Sequence, residues 1–160
     1  MNSKSQPEDA TADPFRVITE FLGYWQIAGL ATCGPGGEPY AANVVYACDP
    51  SGFFYFASDE ASTHAGHLAV DPRAAFSIYA PRSDAVQGVQ ATGLCRPLQP
   101  GTPPYVIARQ FYLLTLEGTL DPSERRDRLD RETLYCARLE WAKYTDSTRS
   151  GSPLEWQRDA

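Results

Sequence analysis

The stretch Glu38 to Ala80, EPYAANVVYACDPSGFFYFASDEASTHAGHLAVDPRAAFSIYA, decides the fold. Tyr40 to Cys48 is a near-continuous apolar run broken by one polar residue, Asn43, and reads as a strand. Asp49-Pro50-Ser51-Gly52 is turn chemistry, because Asp bonds its own backbone, Pro presets φ and Gly accepts the left-handed region. Phe53 to Ala57 is apolar on both faces, which predicts a strand covered on both sides. Ser58-Asp59-Glu60 then leads into a short helix on which Ala61, Ala65, Leu68 and Ala69 share a face. Asp71-Pro72 ends that helix, since the residue before a proline is pushed out of helical geometry. Arg73 to Ala80 returns as a strand. The chain's two histidines, His64 and His67, both fall on the short helix.

Toward the amino end, Asp13-Pro14 opens a helix with a capping side chain and a proline at the first helical position. Phe15, Ile18, Phe21, Leu22 and Trp25 recur at helical spacing and give it one apolar stripe. Ile27 to Cys33 reads as a strand closed by Gly34-Pro35-Gly36-Gly37. That glycine run has a strand after it and no lysine, so it is hairpin chemistry and not a phosphate loop. Residues 1–12, polar and proline-bearing, read as a floppy tail ahead of a single domain over residues 13–160.

Toward the carboxyl end, Val86 to Leu98 alternates and is interrupted by Gly88 and Gly93, which predict bulges or a flat group lying on the backbone. Thr102-Pro103-Pro104 restarts a helix running to about Leu116. Asp121 to Arg131 interleaves both charge signs and reads as a solvated helix or turn. Leu134 to Tyr144 is a strand, Thr145 to Ser152 a loop, and Leu154 to Arg158 a short last strand. Hairpin turns dominate over strict strand–helix alternation. The fold class is therefore mostly β: an antiparallel β-barrel of about six or seven strands with peripheral helices.

The 160 residues suffice to bury a core without crosslinks. The formal net charge of -6 supplies no basic stripe for nucleic acid and opposes docking on anionic membranes. An aromatic share of 12% suits a β-rich core or a flat ligand. Cys33, Cys48, Cys95 and Cys136 form no metal-type spacing and read as small hydrophobes in a reducing compartment. With no apolar leader and no run long enough to span a bilayer, the cytoplasm is the default location.

The order ATCGPGGEPYAANVVYA, turn, FFYFAS, STHAGHLAVDPRAAFSIY, VQGVQATGLCRPL resembles the pyridoxamine phosphate oxidase-like FMN-binding split barrels. The closing RLEWAKYTDST is similar to the end of a small bacterial branch of that superfamily. The likeness spans roughly Phe15 to Ser147. It implies a split-barrel homodimer holding FMN in a groove between two barrels. One strand, Ala42, Asn43, Val44, Val45 and Tyr46, would pass the isoalloxazine ring. The end of the next, Phe56, Ala57 and Ser58, would support ring and ribityl chain. Ser62, Thr63 and His64 would hold the phosphate, and Gln87, Gly88 and Val89 would come from the neighbouring chain.

The physics of a helix amino end agrees, since unpaired N–H groups and a partial positive charge stabilise an anion there. Ser62 and Thr63 add hydroxyls, and His64 adds a donor that is charged if protonated. Asn43, once buried, would find a partner in the carbonyls and nitrogens of a flavin. The chain departs from the family in one respect. Ala41 to Tyr46 carries no cation, and Thr63 stands where a base is usual. Each lost charge-assisted bond, worth about 1.5–3 kcal/mol, weakens binding about ten- to a hundredfold unless Arg73, Arg82 or a partner's arginine compensates.

His64 competes with a blander role as a hydrogen-bonded core histidine, and His67 with that of a solvent-facing one. His64, His67 and Asp71 are too thin a set for a metal, so none is expected. Neither histidine is paired by motif with a nucleophile, and there is no GxSxG elbow. Trp156 is a candidate cover for a partner's flavin. The resemblance implies FMN-dependent oxidation or reduction of a small-molecule substrate, with no obligatory catalytic side chain to name. The alternative is a non-catalytic flavin, haem or deazaflavin module, or an apo dimer, on the same scaffold.

Overall fold

The computed structural model describes residues 13–81, 84–117, 121–149 and 152–159; the tail expected over residues 1–12 lies outside them. The elements are α1 (Pro14–Tyr24), β1 (Ile27–Cys33), β2 (Pro39–Cys48), β3 (Phe53–Ser58), α2 (Thr63–Val70), β4 (Arg73–Pro81), β5 (Val86–Pro97), α3 (Pro103–Thr115), α4 (Pro122–Arg131), β6 (Thr133–Asp146) and β7 (Leu154–Gln157). The signals read above account for most of these boundaries. Asp13 Oδ1 accepts from the N–H of Phe15 at 3.1 Å, with proline at the first position of α1. Gly37 and Gly52 sit at φ 90° and 78° in the β1–β2 and β2–β3 turns, where a Cβ would be strained.

Strand order is β3-β2-β1-β4-β5-β6-β7, every pairing antiparallel, and β3 also pairs with β6. Six strands thus close into a barrel. β7 continues the edge of β6 from Trp141 to Tyr144, beyond the last residue that β3 covers. The split-barrel expectation holds.

Two clusters form the core. The barrel interior collects α1, α2 and the inward residues of the strands, among them Ile18, Leu22, Tyr46, Phe54, Phe56 and Leu139. Outside the barrel wall, α3 and α4 press Ala108, Tyr112, Leu116 and Leu129 onto Ala47, Tyr55, Ala57 and Leu134. β3 lies between the two clusters, which is why it is apolar on both faces as expected. The charged DPSERRDRLDR segment is the helix α4, anchored by the buried Leu129.

Gly88 and Gly93 serve chain-on-chain approach. A Cβ on Gly88 would lie 2.6 Å from the carbonyl oxygen of Ile78, and one on Gly93 would collide with the carbonyl oxygen of Arg138. The β5–β6 register shifts between Thr92 and Gly93, so the bulge expectation is met at Gly93. Among the described residues no helix is long and apolar enough to cross a membrane.

Candidate cofactor site at the amino end of the short helix

Ser62 caps α2. Its Oγ accepts from the N–H of Ala65 at 3.3 Å, and its carbonyl accepts from the N–H of Gly66 at 3.1 Å. Thr63 and His64 are the first two helical residues, so their N–H groups have no carbonyl four residues back. Thr63 is exposed and carries a hydroxyl beside them. This end of α2 can therefore hold an anion through backbone groups and Thr63.

His64 does not reach outward to join them. Its Nε2 lies 2.6 Å from Ser58 Oγ and 3.3 Å from Ser62 Oγ, and the two hydroxyls are 3.2 Å apart. The residue is 8% exposed, and its Nδ1 is buried without a partner among the described residues. Tyr40 stacks over the ring at 6.4 Å, with Phe56 at 6.4 Å in a tilted arrangement. Burial, followed by the nearby His67, pushes the His64 pKa below its ordinary 6.5. The ring is neutral at pH 7, so the extra positive charge that protonation would bring is withheld. His64 instead fixes Ser58 and Ser62.

The sign of that shift makes a testable statement. Unfolded, His64 binds a proton near pH 6.5; folded, it holds off protonation to lower pH. Its contribution to stability is complete above about 6.5 and is lost as pH falls below that toward the folded pKa. Urea midpoints taken between about pH 7.5 and pH 5.5 should fall more steeply for the native chain than for His64→Gln. Parallel slopes would overturn this.

Charge around the helix start is negative. Asp59 accepts from the N–H of Ala61 at 2.8 Å, and Glu60 accepts from the Thr133 hydroxyl at 2.6 Å. Arg73 does not compensate within the protomer. It follows the other end of α2, about 12 Å away for eight residues. It also pairs with Asp71 at 2.6 Å, which holds that carboxyl at about 2. Arg82 lies outside the described residues.

The remaining predicted site residues separate. Val44 and Tyr46 point into the barrel. The Tyr46 hydroxyl donates to the Leu22 carbonyl at 2.9 Å, and its ring stacks on Phe54 at 4.1 Å. Phe56 and Ala57 are likewise core residues. Val45 packs under α3, whose Tyr112 hydroxyl bonds its carbonyl at 3.2 Å, and Ala42 is half-buried. Asn43 faces outward and is exposed, so it needs no internal partner; the expectation that it would be buried does not hold within one protomer. Gln87 is 1% exposed, with its amide donating to Asp146 at 2.6 Å, and Gly88 and Val89 follow on β5. In sheet order β1 and β4 separate β5 from β2, so one protomer does not bring these two segments together.

Across the outer face, directly opposite residues form a polar row: Asn43, Gly29, Ser77, Gln90 and Lys143. Beside it runs a low row of Ala41, Ala31, Ala75 and Thr92, and on its other side Ile27 and Tyr79 are 56% and 57% exposed. Ile27, Ala31, Ala41, Ser77 and Tyr79 on this face are exposed.

Three features escaped the sequence reading. Tyr40 joins both histidines, its ring edge-on to His67 at 5.8 Å, a placement the hairpin register Thr32↔Tyr40 would have shown. His67 is half-buried, with Nδ1 3.1 Å from Thr32 Oγ1, and not simply solvent-facing. A cavity of about 680 Å³ opens just past Glu60, between the β5–α3 and α4–β6 connections. Trp156, by contrast, packs on Phe15 at 4.5 Å and under Arg158. No group of three or more metal-binding side chains is found among the described residues.

A family model described as pyridoxamine 5'-phosphate oxidase matches residues 16–151. Among solved structures, the chain is similar to a haem-binding protein from Mycobacterium smegmatis, with 19% identity, a TM-score of 0.76 and coverage of 93% of this chain and 60% of that one. It is also similar to HutZ, a haem storage protein from Vibrio cholerae, at 15% identity and a TM-score of 0.62, covering 77% and 87%. A third similar structure is an FAD-binding protein from Mesorhizobium loti, at 15% identity and a TM-score of 0.65, covering 81% and 90%. The chain spans only 60% of the Mycobacterium protein's length, and at such identities the likeness concerns the fold alone. No curated protein matches the chain.

Proposed function

Because the chain belongs to the pyridoxamine 5'-phosphate oxidase family, we propose that it is a flavoprotein that binds FMN and serves flavin-linked oxidation or reduction of a small molecule. The observation that carries this reading is the amino end of α2, where the N–H groups of Thr63 and His64 and the Thr63 hydroxyl are free to meet a phosphate. A bound flavin supplies the hydride chemistry. The chain supplies position: Thr63 and the helix end bind the phosphate, and Ser58, Ser62 and neutral His64 lock one another so that the cap keeps its geometry. Asn43 offers an outward amide for the polar edge of a ring.

The working unit in this reading is a homodimer. The outer face carrying Ile27, Tyr79 and the Asn43–Lys143 row is the surface to be covered, and Gln87 to Val89 reach the site from the second copy. A dimer of this kind is what the resemblance to the family implies, and the exposed Ile27 and Tyr79 support it.

The purified protein should show flavin absorption and release FMN on denaturation. A colourless protein that added FMN does not protect against heat would overturn the flavin reading, and a monomeric mass in sedimentation would overturn the dimer. His64→Ala should weaken FMN binding about two- to tenfold, as expected for a neutral hydrogen-bond partner of the capping serine.

One observation favours a second reading, haem binding. The buried Nδ1 of His64 has no partner among the described residues, and low basicity keeps that ring neutral and able to coordinate a metal. Two of the similar structures are named for haem. A Soret band lost in His64→Ala would establish it; a flavin spectrum would exclude it.

A further inference from the structure

We infer that the cavity beyond Glu60 binds a small organic cation, an ammonium group carried on a flat apolar body. The site is independent of the flavin reading, since it needs neither the amino end of α2 nor a second copy of the chain. At about 680 Å³ the cavity falls within the range of small-molecule sites, about 300–1,000 Å³. Three stretches far apart in sequence build it: Glu60 ahead of α2, the β5–α3 connection with Tyr105 at the start of α3, and the junction of α4 with β6. Part of its wall is apolar. Leu129 and Leu134 are buried there, and Leu98 and Tyr105 are half-buried.

Charge on the lining sets the ligand class. Glu60, Asp130 and Glu132 stand against a single lining guanidinium, that of Arg131. Arg131 is exposed and donates Nε to the Asp127 carbonyl at 3.1 Å, one turn back along α4. Asp130 meets Arg109 of α3 at 3.2 Å, and with that residue counted the carboxylates are still in excess. Glu60 decides the matter. Its recorded partner is the Thr133 hydroxyl at 2.6 Å, a neutral donor, and among the described residues no Lys or Arg pairs with it. A carboxylate ligand is repelled by such a lining. A neutral apolar ligand takes water from Glu60 and gives its charge nothing in exchange. An organic cation supplies a charge-assisted bond to Glu60 while its body lies on Leu98, Leu129 and Leu134, with the Tyr105 ring as a flat neighbour.

The test titrates the isotope-labelled full chain with phenethylamine, phenethyl alcohol and phenylacetate, three probes of similar shape and different charge, and follows amide chemical shifts. The amine should bind at least about tenfold more tightly than the alcohol, and phenylacetate more weakly than either. Its shifts should centre on Glu60 and residues 97–105 and 129–134, and its affinity should fall as salt is raised. Glu60→Gln keeps an acceptor for the Thr133 hydroxyl, so its thermal midpoint should match the native one. That change should weaken the amine about three- to tenfold and leave the alcohol unmoved. The probe comparison on the native chain needs no variant. Alcohol binding as tightly as amine, shifts centred away from the cavity, or amine affinity unmoved by Glu60→Gln overturns the inference and leaves the flavin reading untouched.

Discussion

Phe54→Ala should lower the stability of the fold by about 3–5 kcal/mol, a large part of the 5–15 kcal/mol typical of a domain. Phe54 is fully buried in the barrel interior, its ring stacked on Tyr46 at 4.1 Å and tilted against Phe76 at 4.3 Å. Those rings sit on three different strands, β2, β3 and β4, so removing the middle one leaves a void that no single strand can shift to fill. Urea unfolding should show a lower midpoint with an unchanged slope. A midpoint close to the native one would mean that this stack does not hold the barrel.

Gly93→Val should be the next most damaging single change, at about 1–3 kcal/mol or a fall in Tm of roughly 2–12 °C. The obstacle is the carbonyl of Arg138, backbone of the partner strand, which has no rotamer to escape into. Relief would require opening the β5–β6 ladder at its bulge. The informative control is Gly66→Ala, in the middle of α2, where an added Cβ meets nothing within 4 Å. There alanine should stabilise by about 0.5–1 kcal/mol through helix propensity. Equal effects from the two substitutions would refute the distinction between a crowded and an open glycine.

The fold was readable because its signals are local. Asp13-Pro14, the glycine turn at 34–37, Asp49 to Gly52 and Asp71-Pro72 each fix an element boundary through chemistry within a few residues. The site was readable only in part. The residues alone put Ala61 on the short helix, and Ser62 comes to its start only through the family resemblance; the structure begins the helix at Thr63, with Ser62 as its cap. His64 was ambiguous because its direction depends on Ser58 and Tyr40, which come from β3 and β2 and meet it only when the sheet closes. Asn43 misled for the same reason: whether a polar residue in an apolar run faces the core or the outside follows from register, and one residue of slip reverses it. The cavity past Glu60 is assembled from three connections far apart in sequence, and no short motif announces it.

β6 spans fourteen residues and pairs along its length with β5, β3 and β7. During synthesis, β3 leaves the ribosome long before the strand that closes the barrel against it. Until residues 133–146 emerge, the nascent chain carries an open, apolar sheet edge, the kind of surface that chaperones and neighbouring chains recognise. Barrel closure joins Phe53–Ser58 to Thr133–Arg138 across a long stretch of chain that holds α2, β4, β5, α3 and α4, so it should be the late and slow event in folding. A chain truncated before Thr133 is therefore expected to yield an aggregation-prone sheet and not a smaller barrel.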